Sequence, residues 1–260
     1  MIINPYSFGV SLDPDAQAFL TASGITDPTI SGAINTLVVQ MKSDNIWTKM
    51  KAIYPMVGGT ASTHKWNLKD PRDLDAAFRL QFFGGVTHNS NGVLGNGING
   101  YGDTKISPSS VLGLNSTHIS YYSRTNLNKN EVEIGARNGS SILFIQTRQI
   151  GSVSDCYMND SSFISLASPN SLGFYIGNRI TSGTKTFWKN GTKIHTQNTV
   201  ATARPSSNIY ILANNNGGVL SEPSLKQCAF ASIGDGLSDT EAANFYTAVQ
   251  AFQTTLARQI

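Results

Sequence analysis

Alternating apolar and polar residues dominate the chain from about residue 76 onward, and this pattern predicts β-strands. Phe78, Leu80 and Phe82 alternate with polar neighbours, which places the three apolar side chains on one face of a strand. The same alternation predicts further short strands at 119–124, 132–137, 142–148, 153–157, 172–176, 186–189, 193–196, 209–212 and 225–233. Many short strands separated by polar turns are typical of an antiparallel sandwich.

A second period, near 3.6 residues, marks helices at the two ends of the chain. Asp-Pro pairs at 13–14 and 27–28 predict the starts of two N-terminal helices, because aspartate caps the first turn and proline suits the first helical position. Gly24 is expected to end the first of them. At the C-terminus, Ser238 and Glu241 have the spacing of a capping box. One apolar stripe follows at residues 245, 249, 252 and 256.

Two intervening segments are predicted from their turn residues. Asn190-Gly191 separates two alternating runs and fits a type I′ turn, in which both central residues have positive φ. We expect Trp188 and Ile194 to meet across this hairpin as an apolar pair. The Gly- and Asn-rich segment 88–103, in contrast, predicts a long surface loop.

These elements predict a mainly β protein, an antiparallel jelly-roll sandwich with two N-terminal helices and one C-terminal helix. We expect an extended N-terminal arm at residues 1–12 and a helical pair at 13–45 that serves attachment or oligomerisation. The sandwich would occupy residues 46–260 and end in a closing helix at 238–258. A chain of 260 residues is long enough to bury a sizeable core without metals or disulfides.

Composition narrows the range of partners and compartments. The net charge is +3 and no run of Lys or Arg stands out, so nucleic acid is not an expected partner. No apolar run approaches the roughly 20 residues that span a bilayer, and the first residues lack the pattern of a signal peptide. Cys156 and Cys228 are far apart and are expected to be free, buried thiols of a protein that folds in a reducing cytoplasm.

The sequence shows no motif for catalysis, and we expect no enzyme activity, no cofactor and no metal. The four histidines have no zinc-ligand spacing, and nucleophile-elbow and phosphate-loop patterns do not occur. Glu131 and Glu133 are the one carboxylate pair with the separation that glycoside hydrolysis uses. We expect them to lie on a solvated strand face, which leaves a glycoside hydrolase as a minor alternative.

Candidate binding residues are Tyr101, Asp103 and Trp188. Aromatic rings such as Tyr101 and Trp188 can stack on sugars, although core packing is the more frequent role of an aromatic side chain. Asp103 lies beside asparagines and carries oxygen atoms of the type that bind calcium. Its spacing matches no calcium-loop pattern, so a calcium ion is left as an alternative.

Two stretches resemble the concanavalin A-like, laminin-G-type sandwiches. The first, FWKNGTKI at 187–194, resembles the Y-x-N-G-x-x-V hairpin of that superfamily. The second, AFASIGDGLSDTEAANFY at 229–246, resembles its closing strand followed by L-S-x-x-E-x-x-x-L-Y. This resemblance implies a lectin-like jelly roll and a carbohydrate-binding module as one functional reading.

Residues 13–260 also resemble virion structural proteins of tailed bacteriophages. The shared features are the paired N-terminal helices, the segments IWTKMKAIYPMVGGTASTHKWNLKDP, GYGDTKISPSS and LNSTHISYYSRTN, and the capped C-terminal helix. The resemblance implies a head fibre, a capsid decoration protein or a tail-associated surface protein, assembled in the host cytoplasm and located on the virion. It implies other virion proteins as partners and a homo-oligomer, with host-surface carbohydrate as a candidate ligand.

Overall fold

A computed structural model describes residues 11–260, which form five α-helices and two β-sheets. The predicted arm, residues 1–12, lies outside the described residues except for 11 and 12. The helices are α1 (Pro14–Ser23), α2 (Pro28–Ser43), α3 (Ala61–His64), α4 (Pro108–Val111) and α5 (Asp239–Thr255). The strands are β1 (Met50–Tyr54), β2 (Gln81–Phe83), β3 (Thr87–Asn89), β4 (Gly92–Leu94), β5 (Tyr101–Asp103), β6 (Thr117–Ser123), β7 (Ile134–Asn138), β8 (Ser141–Gln149), β9 (Val153–Met158), β10 (Ile164–Ala167), β11 (Gly173–Arg179), β12 (Thr184–Lys189), β13 (Thr192–Asn198), β14 (Tyr210–Ile211), β15 (Asn214–Asn216), β16 (Val219–Ser221) and β17 (Cys228–Gly234).

The strands form two antiparallel sheets, as the alternating pattern predicted. Sheet A has eight strands in the order β13-β12-β11-β6-β17-β4-β3, with β1 paired to β17. Sheet B has nine strands in the order β10-β9-β8-β7-β14-β5-β2, with β15 and β16 attached at β7. The pairing of β15 with β7 is parallel, and the other strand pairs are antiparallel. The inward faces of both sheets meet in one core that includes Ile119, Tyr121, Ile145 and Ile211.

Three helices cover the outward face of sheet A. The two N-terminal helices begin at the predicted aspartate caps, and α1 ends at Gly24 in a left-handed conformation. Helix α5 begins with the predicted capping box. A second hydrophobic core, in which side chains of α1, α2 and α5 pack on the outward side chains of sheet A, joins the helices to the sandwich. The mainly β fold with two N-terminal helices and a C-terminal helix is therefore confirmed.

Two local predictions were wrong. The 190–191 turn joins β12 to β13 with positive φ at both residues, as expected. However, Trp188 is paired with Lys193, and Ile194 lies on the opposite face of the hairpin, so Trp188 packs toward the helices while Ile194 packs toward the core between the sheets. The predicted loop 88–103 contains β4 and β5 and most of β3, because its glycines and asparagines form turns between very short strands.

Buried polar residues lie beneath helix α5 on sheet A. The Nδ1 atom of His118 lies 2.6 Å from the carbonyl oxygen of Asp235, and its Nε2 atom lies 3.0 Å from the hydroxyl of Ser232. Because a carbonyl only accepts, Nδ1 carries the proton and Nε2 accepts from Ser232. Burial lowers the pKa of His118 to about 4, so the ring is neutral at pH 7 and fully paired without a counter-ion.

Candidate functional site

The outward face of sheet B carries aromatic side chains that no helix of residues 11–260 covers as α1, α2 and α5 cover sheet A. Strand alternation sets their direction, since Ile211 and Ile134 point into the inner core and their neighbours point away from it. Tyr210 is paired with Asp103 on β5 and with Gly135 on β7. These residues therefore share the outward face.

Three rings on this face form a stack, here called the tyrosine cluster: Phe83, Tyr101 and Tyr210. The ring centroids of Phe83 and Tyr101 lie 5.1 Å apart at 17°, and those of Tyr101 and Tyr210 lie 4.3 Å apart at 26°. Phe83 and Tyr101 are partly exposed, whereas Tyr210 is 9% exposed. The cluster is thus a row of rings stacked across three neighbouring strands, with Tyr101 between the other two; Tyr210 is fixed by packing, and Phe83 and Tyr101 reach solvent.

Asp103 lies next to the tyrosine cluster on the same strand face, two residues after Tyr101. Its Oδ1 atom accepts from the backbone amide of Lys105 at 2.8 Å and from the Nδ2 group of Asn208 at 3.2 Å. The ammonium group of Lys105 lies 3.1 Å from its Oδ2 atom and 5.9 Å from the ring of Phe83. The Lys105 ammonium group thus supplies the positive charge that a calcium ion would supply at this carboxylate. Asp103, Lys105 and Asn208 together form a polar border beside the rings.

Tyr210 stays uncharged at physiological pH. Burial, followed by the influence of Tyr101 and Asp103, raises the pKa of Tyr210 above its usual value near 10. Its phenol therefore keeps its proton and can donate a hydrogen bond. Neutral rings bordered by hydroxyl, amide and paired charged groups can bind a ligand that combines apolar faces with hydroxyl groups.

The structure brings together two of the three predicted binding residues. Tyr101 and Asp103 lie on one face of β5, as described above. Trp188 belongs to sheet A, is 4% exposed and packs in the core beneath the helices. Its indole donates to the hydroxyl of Thr186 at 3.0 Å, so its stacking surface is not available to a ligand in this structure.

Glu131 and Glu133 are fully buried, which corrects the prediction of a solvated strand face. The ammonium group of Lys226 lies 2.8 Å from Glu133 and 3.2 Å from Glu131, and Lys226 is itself fully buried. The backbone amide of Thr147 donates to Glu133 at 2.5 Å. Burial raises the pKa of Glu133, but a carboxylate closed off from solvent and held by lysine has no space for a sugar and water beside it.

Residues 11–260 contain no group of three or more His, Cys, Asp or Glu side chains placed to hold a metal ion, and none of their helices has the length and apolarity to cross a bilayer. Cys156 and Cys228 are free and buried, as predicted. Burial raises the pKa of Cys156 to about 12, so this thiol is not a nucleophile at neutral pH.

The sequence prediction missed Phe83, Tyr210, Lys105 and Asn208. Phe83 follows the inward Phe82, and Tyr210 lies between Ile209 and Ile211. In both places an aromatic residue occupies the strand position that would be polar if the outward face were only solvated. An aromatic residue at such a strand position is the sequence signal from which the tyrosine cluster could have been predicted.

No protein-family model and no curated protein matches this chain. Solved structures do match it in fold. Domain 4 of AbnA, a GH43 extracellular arabinanase from Geobacillus stearothermophilus solved in complex with arabinotriose, matches 76% of this chain and 98% of that domain at 11% identity and a TM-score of 0.53.

Two toxin binding domains match over a similar part of the chain. The binding domain of Paraclostridial Mosquitocidal Protein 1 matches 77% of this chain at 14% identity and a TM-score of 0.52. The receptor binding domain of a botulinum neurotoxin C/D mosaic serotype matches 78% at 11% identity and a TM-score of 0.50. This chain spans about half of each, 52% in both cases. At these identities the likeness establishes a shared β-sandwich fold.

Proposed function

We propose that this protein is a non-enzymatic glycan-binding protein that holds sugars on the tyrosine cluster of sheet B. The observation that carries the proposal is the stack of Phe83, Tyr101 and Tyr210 on a sheet face that none of the described helices covers. Sugar rings present apolar C–H faces that pack on aromatic rings, and their hydroxyls need hydrogen-bond partners at the border. Asp103, Lys105 and Asn208 provide such partners.

The solved structures that share this fold support a binding role but do not identify the ligand. The arabinanase domain was solved with arabinotriose, and the two toxin domains are described as binding domains. All three are β-sandwiches, a fold that presents sheet faces and loops to a ligand. A binding role for this chain agrees with these neighbours, and arabinotriose is a reasonable first probe.

A hydrolytic role is disfavoured by the position of the acids. Hydrolysis of a glycosidic bond needs two carboxyl groups that flank the bond in an open site. Glu131 and Glu133 are fully buried and share Lys226, and Asp103 is held by Lys105. The proposed protein therefore binds its ligand without cleaving it.

We further propose that the protein acts on a bacteriophage particle, as a head fibre, decoration or tail-associated protein that contacts host glycans. The sequence resemblance to tailed-phage virion proteins supports this location. Repeated copies on one particle, including a homo-oligomer with the helical pair at its interface, would turn weak sugar contacts into avidity. Nucleic acid and membrane lipid are not partners in this proposal.

A glycan array followed by calorimetry tests the binding role. The wild-type protein is expected to bind at least one class of neutral glycan, and Tyr101→Ala is expected to weaken that binding by about tenfold or more, as expected for a central aromatic contact. Tyr246→Ala is the matched control, because Tyr246 is also partly exposed but belongs to α5 on the opposite side. Absence of any array signal, or equal effects of the two variants, would contradict the proposal.

Quantitative mass spectrometry of purified particles tests the location. A virion protein should be present at a fixed copy number per particle, and that number separates decoration, fibre and tail roles. If the protein is absent from intact particles, the virion proposal is wrong, while the glycan-binding proposal is judged separately by the array.

A further inference from the structure

A second group of aromatic side chains lies on the same outward face of sheet B: Phe144, Tyr157 and Phe163, here called the second aromatic cluster. The ring centroids of Phe144 and Tyr157 lie 4.5 Å apart, and those of Tyr157 and Phe163 lie 5.6 Å apart. Phe144 is 5% exposed and Phe163 is 50% exposed. As in the tyrosine cluster, a packed inner ring supports an outer ring that reaches solvent.

The register of sheet B places both clusters along one line across the strands. Tyr210 is paired with Gly135, Gly135 with Phe144, and Phe144 with Tyr157. Gly135 contributes no side chain between the two clusters. Tyr101 on β5 and Tyr157 on β9 are four strand steps apart, a distance of about 19 Å at the usual strand spacing.

A carboxylate lies beside the second aromatic cluster. Asp155 precedes Tyr157 by two residues and shares its outward face, since the Cys156 between them points into the inner core. Asp155 is 5% exposed, and Gln149 donates to its Oδ2 atom. Burial raises the pKa of Asp155, and hydrogen bonds from Ser165, its register partner on β10, and from Gln149 oppose that rise. The carboxyl group is therefore held by its strand neighbours at the border of the rings.

We propose that Phe144, Tyr157 and Phe163, with Asp155 at their border, form a second glycan subsite, and that the ligand is a linear, uncharged oligosaccharide long enough to reach both clusters. This inference rests on the proposed glycan-binding function. An anionic sugar is disfavoured at this subsite, because the carboxylate of Asp155 would repel it. Two subsites on one rigid sheet also explain why aromatic residues occur on both sides of Gly135.

Chain-length calorimetry with four proteins tests the inference. The probes are arabinotriose and arabinohexaose, with cellotriose and cellohexaose as a second neutral series. We expect the hexaose to bind about tenfold tighter than the triose or more, since only the longer chain reaches both clusters. Phe163→Ala should weaken hexaose binding by about tenfold and leave triose binding within about twofold. Ile180→Ala is the control, because this apolar residue is exposed to the same degree, 51%.

The outcomes separate the two proposals. If Tyr101→Ala abolishes binding while the triose and hexaose bind equally well, the protein binds glycans at one site and the second subsite is wrong. Hexaose binding that is unaffected by Phe163→Ala leads to the same conclusion. If no probe and no array glycan binds, both proposals fail together.

Discussion

The two outward faces of the sandwich are both rich in aromatic residues, but they differ in what covers them. On sheet A, Phe174 and Phe230 lie 5.3 Å and 5.9 Å from the ring of Phe245 in helix α5, and all three are fully buried. On sheet B, Tyr101 and Phe163 reach solvent, and none of the helices in residues 11–260 lies over them. The first face contributes its aromatic surface to folding, and the second leaves part of its aromatic surface in solvent, where the proposed ligand would bind.

This difference has a thermodynamic consequence. Burial of an apolar side chain stabilises the fold in proportion to the area removed from water, so the covered face should dominate stability. On the open face, ring stacking has already removed part of the aromatic surface from water, and a bound ligand would remove the remaining exposed part. Substitutions on the covered face should therefore change unfolding, whereas substitutions on the open face should change binding.

The largest effect is expected from Phe245→Ala, which removes the ring that joins α5 to sheet A. Phe245 contacts Phe174, Phe230 and His118. A cavity at this position should lower the free energy of unfolding by about 3–5 kcal/mol, measured by urea denaturation. Tyr246→Ala, next to it but partly exposed, should cost much less. Equal losses for the two variants would show that the helical cover contributes little to stability.

Acid is expected to destabilise the covered side through His118. This histidine is neutral in the folded protein, with its pKa lowered to about 4 by burial, whereas in the unfolded chain its pKa is near 6.5. The unfolded state therefore binds the additional proton first, and stability falls as pH decreases from about 6.5 toward 4. Buried His64, with a pKa lowered to about 3, adds a loss of the same sign.

Between pH 7 and pH 5 each of these two histidines should remove roughly 2 kcal/mol from the free energy of unfolding. The range above pH 5 is chosen because ordinary carboxylates remain ionised there. His118→Asn should lower stability at pH 7 but flatten the dependence on pH. A stability profile that is flat between pH 7 and pH 5 in the wild-type protein would contradict the neutral, buried state of His118.

The sequence predicted the local features of both faces better than it predicted which face the helices cover. Caps at Asp13, Asp27 and Ser238 and the turn at 190–191 depend on residues within a few positions, and the structure agrees with them. Tyr101 and Asp103 were instead predicted to lie in a loop, and the structure places both on strand β5. What alternation cannot provide is which face the helices cover, because that depends on strand order across the whole sheet.

Trp188, Glu131 and Glu133 illustrate this limit. Trp188 is paired with Ile176 on β11 and points with it toward the helices, so its burial depends on a helical cover that no local pattern encodes. The two glutamates became buried because Lys226, about 95 positions away, supplies their counter-charge. Pairing across such sequence separations requires the folded topology, so a single sequence predicts a solvated acid pair instead.

A smaller effect is expected from Ser238→Ala, which weakens the start of the covering helix. The Ser238 hydroxyl accepts from the amide of Glu241, and the Glu241 side chain accepts from the amide of Ser238 at 2.6 Å. Loss of one half of this capping box should cost about 1 kcal/mol, measured as a small decrease in the urea midpoint. Because Glu241 also pairs with Lys49 at 2.5 Å, the helix should remain docked and glycan binding should be unchanged.

The smallest effect on stability is expected from Phe163→Ala on the open face. Half of this side chain is already in solvent, and its removal leaves no enclosed cavity, so the free energy of unfolding should change by less than about 0.5–1 kcal/mol. Calorimetric binding of a long oligosaccharide by the same variant should nevertheless be impaired. A large loss of stability here would mean that Phe163 is part of the fold's support and that the open face is not reserved for a ligand. A small loss of stability together with weakened binding is the opposite of the result expected for Phe245→Ala, and this reversal is the clearest sign that the two faces have separate roles.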